Sequence, residues 1–147
     1  MVCGMCGGMC FNMSVAIATA AYFFLGALWY SPLLFGRMWA KVVHVTDADK
    51  KKMVPGMIGS AIIGAILSMG LSCLISRFHI TGLEEGAKFG AGLWFFLVMP
   101  THLSEVIWAK KPKMLFIINM AYKLVFFAGA GALFAAWQAC ATCAPTI

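Results

Sequence analysis

Apolar residues in this chain come in four long runs, at about 13–30, 57–76, 89–108 and 114–137. Each run is close to the roughly 20 residues that a helix needs to cross a bilayer's hydrocarbon. The first three hold no Asp, Glu, Lys or Arg before Glu105, and the fourth holds only Lys123. In lipid every backbone N–H and C=O must be satisfied within the protein, which favours helices. The alternating ten-residue segments of a membrane barrel are absent. The pattern therefore predicts an all-α fold, an integral membrane four-helix bundle over 13–137. Short tails flank it at 1–12 and 138–147, and loop one covers 31–56.

The end of the first run is the most structured piece of sequence. Trp29-Tyr30 is followed by Ser31-Pro32, then by Trp39 with Arg37 and Lys41 on either side of it. Amphipathic rings favour headgroup level, with basic residues just beyond, so Trp29, Tyr30 and Trp39 are expected as interfacial anchors. Pro32 lacks an N–H and holds Ser31 extended, which ends the helix. The first run has no basic residues before it and continues into the Trp-Tyr-Ser-Pro block with no convincing stop, so it reads as a retained helix rather than a signal peptide.

Composition agrees with a lipid environment. Of 147 residues 63% are hydrophobic and 11% charged, against about 25% charged in an average soluble domain. The net charge of +6 is unevenly placed. Loops one and three carry Arg37, Lys41, Lys50, Lys51, Lys52, Lys110, Lys111 and Lys113, whereas the opposite side carries Arg77 and Lys88. Basic loops stay cytoplasmic. Both termini are thus expected outside, which is periplasmic for a bacterial inner membrane. The bilayer is the expected partner, and no nucleic acid is needed to explain the charge.

Cys3, Cys6 and Cys10 lie in the first tail, Cys140 and Cys143 in the second. An even number of spans brings both tails to one face. Disulfides on an oxidising face are one use of these thiols. Incidental cysteines are a second. Capture of a thiophilic metal is a third, since thiolate and thioether donors suit Cu(I) or Zn. No other cofactor is implied. Cys73, inside the second run, reads as a small packing residue.

Small residues set the expected packing. Gly56, Ser60, Gly64, Ser68, Ser72 and Ser76 recur every four positions in the second run, Gly86 and Gly90 open the third, and Ala128, Ala132 and Ala136 punctuate the fourth. Such spacing lets backbones approach closely, within the bundle or in a homo-oligomer. Four residues turn 400°, so the second-run stripe drifts about 40° per step and changes neighbour along its length. In loop one, Leu33, Leu34, Met38, Trp39, Val42 and Val43 are expected to form an apolar face suited to the interface. Thr46-Asp47-Ala48-Asp49 then reads as a helix start.

Candidate chemistry lies at charged groups in the apolar runs, which cost about 2.5–3.5 kcal/mol each to insert. Lys123 is nine residues past Met114, about 13 Å along a helix. Glu105 is three residues from the end of the third run. A tight turn makes runs three and four antiparallel neighbours, so a Lys123–Glu105 ion pair is expected. His102 is one turn from Glu105, and Asn119 one turn from Lys123. His102, Glu105, Asn119 and Lys123 therefore form a candidate polar relay or ligand site, with a histidine whose ordinary pKa is near neutral. The alternative is a register-fixing ion pair with no further role. Thr101, Ser104 and Tyr122 add hydroxyls nearby. Pro100 is expected to free a carbonyl near residue 96 and kink its helix. No phosphate loop, dinucleotide fingerprint, nucleophile elbow or His-Glu-x-x-His motif occurs, and no enzyme activity is expected.

The block Leu25-Gly-Ala-Leu-Trp-Tyr-Ser-Pro-Leu-Leu-Phe-Gly36, with Trp39, resembles the opening signature of the membrane family called domain of unknown function 1761. Lys113-Met-Leu-Phe-Ile-Ile-Asn-Met-Ala-Tyr122 and Gly131-Ala-Leu-Phe-Ala-Ala-Trp137 resemble its last helix. The resemblance covers about 13–137 and implies four spanning helices and no assigned activity. The Cys-rich tails fall outside it. Two function classes follow: transport or relay of an ion, proton or small molecule through the bundle, or a non-catalytic scaffold that uses loop one for contact. Metal capture by the tails is a narrower third.

Overall fold

The computed structural model describes residues 13–43, 53–110 and 112–142. The expectations for Cys3, Cys6, Cys10 and Cys143, for the Cys140 side chain and for the helix start at Thr46 lie outside the described residues and side chains.

Among the described residues the protein is all-α, without strands. Helix α1 is Met13–Trp29, α2 is the short Gly36–Val43, and α3 is Met53–Arg77. Helix α4 runs Leu83–Trp108, and α5 is Lys113–Thr142. Pro55–Arg77, Leu83–Trp108 and Lys113–Gln138 are each long and apolar enough to cross a membrane. Helix α1 is a shorter apolar helix of 17 residues. Helix α3 starts earlier than the apolar run because Pro55 sits in its first turn, where a missing N–H costs nothing. Helix α4 likewise starts at Leu83, with Glu84 and Glu85 in its first turn beside the positive end of the helix dipole.

Helices α1, α3 and α5 surround one apolar core. Val15, Ala18, Tyr22, Leu71, Ile75, Phe126 and Phe134 are buried in it. Helix α4 packs mainly on α5. The small-residue stripe on α3 packs only in its middle, rather than meeting a different neighbour at each end, and Ser76 at its far end is exposed. Gly56 faces open space and Ser60 is exposed, whereas Gly64, Ser68 and Ser72 are buried. Added at Gly64, a Cβ would lie 2.5 Å from the Tyr22 ring.

The α4–α5 pair is tightest away from its short connection. A Cβ on Gly90 would come 2.0 Å from the Phe127 carbonyl oxygen, and one on Gly86 2.4 Å from that of Gly131. The groove in α5 is thus made by Gly131 and the backbone of Phe127 and Ala128, with Ala135 beside it.

Helix α4 changes its winding midway. Trp94–Val98 is π-helical, and the Met99 N–H bonds to the Trp94 carbonyl five residues back. Pro100 supplies the cause: it has no N–H to give, and its ring displaces the preceding turn. The Thr101 hydroxyl donates to the Val98 carbonyl at 2.7 Å and reaches that of Leu97 at 3.2 Å.

Candidate functional site

The Trp-Tyr-Ser-Pro block turns inward. Trp29 Nε1 donates to the Ile118 carbonyl on α5 at 3.1 Å, and the Tyr30 hydroxyl donates to Asn119 Oδ1 at 2.7 Å. Both rings are half-buried. Their polar atoms therefore find protein partners at the level where the sequence places the interface. Trp39, half-buried on α2, sets its ring 5.8 Å from that of Tyr30. Gly36 makes this fold-back sterically feasible, since a Cβ there would lie 2.3 Å from the Tyr30 carbonyl oxygen. Beneath the block, the Tyr122 hydroxyl donates to the Tyr22 carbonyl at 2.8 Å. These contacts tie α1 to the first half of α5 and fix where Asn119 and Lys123 stand.

The four expected residues come together around a histidine. The Lys123 amine contacts His102 Nε2. On the other side of the ring, Nδ1 lies 3.8 Å from Glu105 Oε1. His102 thus stands between the cation and the carboxylate, where the sequence suggested a direct pair. The reason is axial offset: α4 and α5 run antiparallel, and His102, one turn deeper than Glu105, is the side chain level with Lys123. A gap of 3.8 Å is one that a single water or a small rotamer change closes. Asn119 joins from α5, its carbonyl held by Tyr30. Ser104 is exposed and Thr101 is occupied by its own backbone.

Two clefts meet at this line. The first, about 250 Å³, opens between the second half of α4 and the start of α5. His102, Glu105, Asn119, Val106, Leu115, Phe116 and Met120 line it. The second, about 340 Å³, lies between α3 and the π-helical stretch of α4. Tyr22, Ile63, Leu67, Leu97, Val98, Thr101, His102, Lys123 and Phe127 line that one. His102 is the residue common to both linings. The carboxylate faces the first cleft and the amine the second. Sequence reasoning missed the walls of the second cleft, Tyr22, Ile63, Leu67 and Leu97. Nothing distinguishes them from core or lipid-facing residues until α3 and α4 are seen to stand apart.

Among the described residues no group of three or more His, Cys, Asp or Glu gathers as a metal site would require. Ser68 Oγ and Trp94 Nε1 are buried with no hydrogen-bond partner among those residues, and neither lines either cleft.

Comparison with curated proteins found no match, and neither did comparison with solved structures. A family model described as "Protein of unknown function (DUF1761)" matches residues 13–135, which span the opening block, both clefts and the whole Lys123–His102–Glu105 line. The chain belongs to that family.

Proposed function

We propose that the protein is a membrane-embedded relay for protons, or for a small solute whose movement is linked to a proton. The observation that carries the reading is that His102 lines both clefts, with Glu105 on one side and Lys123 on the other. An imidazole can take a proton on one nitrogen while releasing one from the other. The line Glu105–His102–Lys123 therefore offers a route from one cleft to the other. Charged residues at such depth are costly to insert, and a role offsets that cost. The basic residues of loops one and three support placing the first cleft on the cytoplasmic side, with both termini outside. No cofactor and no covalent step is needed.

The scaffold reading has one observation in its favour. Helix α2 leaves Met38 exposed beside Arg37 and Lys41, and Leu33 stands out just before it. That surface fits a lipid interface as well as a partner, and a scaffold gives no account of the clefts.

The test is proton flux into liposomes carrying the purified protein, read by an internal pH-sensitive dye. Glu105→Gln should lower flux by about 100-fold, the scale of a lost acid–base group. Flux equal to that of the unsubstituted protein would remove the relay, and absence of flux in both would favour the scaffold.

A further inference from the structure

The second cleft has the anatomy of a site for an amphiphilic anion. One end holds the Lys123 amine with His102 and Thr101 near it; Ile63, Leu67, Leu97, Val98 and Phe127 supply apolar walls, with Tyr22 among them. An ammonium has three donors, and among the described residues that of Lys123 makes one hydrogen bond, to His102, with the Glu105 carboxylate acting on it at longer range. Ile63 and Leu97 are more than half exposed, so the cleft opens on the outer face of the helices. Helices α3 and α4 barely touch, which leaves that mouth clear. Lys123 lies ten residues into α5, about 15 Å along its axis. The mouth therefore faces hydrocarbon rather than water.

We propose that this cleft takes a lipid-phase monocarboxylic acid, which reaches it sideways from the bilayer between α3 and α4. The chain would lie along Ile63, Leu67 and Leu97, and the carboxylate would pair with Lys123. Depth selects the head group. A carboxylic acid can shed its charge by protonation and move through hydrocarbon as the neutral acid. A phosphodiester stays ionised and is held at headgroup level. The proposal names the substrate class of the relay site and rests on that reading for the proton's route. As the neutral acid binds, the Lys123 ammonium gives a proton to His102 Nε2 while His102 Nδ1 gives its own to Glu105, and the amine so formed takes the acid's proton. The net change is neutral acid plus Glu105 carboxylate to bound carboxylate plus protonated Glu105.

The test uses the full chain in phosphatidylcholine nanodiscs with spin-labelled stearic acid and its methyl ester as probes. The acid should show a saturable immobilised population at one per chain, preferred over the ester by about tenfold or more, the worth of a charge-assisted contact. Lys123→Gln should abolish the preference. Ile63→Trp, at the exposed mouth, should block the acid without touching the polar line. It stands in for Lys123→Gln should that variant not fold. Ile117→Trp, on the lipid face of α5 outside the cleft, should change nothing. Equal binding of acid and ester, or an unchanged preference in Ile63→Trp, would overturn the proposal. Full competition by phosphatidic acid would assign the cleft to a phosphate headgroup and overturn it as well. Probe binding and proton flux in Glu105→Gln are separate readouts, so the site and the relay fail separately.

Discussion

The same two helices, α4 and α5, make a close backbone contact in one half and an open cleft in the other. Away from their connection, Gly86, Gly90 and Gly131 bring the backbones together until no Cβ fits between them. Near the connection, the pair spreads around His102, Glu105, Asn119 and Lys123 and leaves a cleft. Between the halves lies the π-helical stretch ahead of Pro100. Tight packing needs small side chains; a polar site needs long ones and space. One helix pair supplies both because Pro100 changes the winding, and so the direction side chains face, at the junction. The closed half then forms the end against which the open half stops.

Gly90→Val should break this contrast most severely, since its side chain would enter the Phe127 backbone. A loss of about 3 kcal/mol or more is expected for unfolding in detergent, as for severe overpacking. Gly129→Ala is the matched control. A Cβ there meets open space, and a change within about 0.5 kcal/mol is expected. Equal losses in the two variants would mean that the glycine groove is not what closes that half.

Pro100→Ala should sharpen the comparison by removing the junction. Helix α4 is expected to regain regular α winding over 94–98, and the second cleft to shrink. Spin-label distances between α3 and the end of α4 should shorten, and flux should fall, while stability holds or rises. Unchanged distances would show that the π-helical stretch has another cause.

Tyr30→Phe is expected to have the smallest effect. It removes the hydrogen bond to Asn119 Oδ1, a loss of about 0.6–1 kcal/mol within a membrane bundle. It also frees Asn119 to turn into the first cleft. A thermal shift too small to detect would mean that the opening block anchors through its rings alone.

Much of this was legible before any coordinates. Long uncharged runs specify helices because lipid tolerates no unsatisfied backbone, and the runs ending at Trp29 and Trp108 stop where tryptophan meets a turn. The break at Pro100 followed from its missing N–H. The polar quartet followed from turn-by-turn spacing on two antiparallel helices. Other features depend on partners distant in sequence. Tyr30 and Asn119 are 89 positions apart, and nothing in either neighbourhood pairs them. The order Lys123–His102–Glu105, rather than a direct ion pair, depends on an axial offset of one turn. That offset is set by where Gly86 and Gly90 seat on Gly131. The second cleft is a gap between helices that do not pack, and patterns of apolar residues report what is buried, not what is left apart.

The account turns on His102 as the one wall shared by two clefts. The most direct measurement is proton flux into liposomes with His102→Gln, a side chain of similar reach that cannot take and release a proton. A fall of about 100-fold or more, with unfolding stability kept, is predicted. Flux that matches the unsubstituted protein would contradict the account.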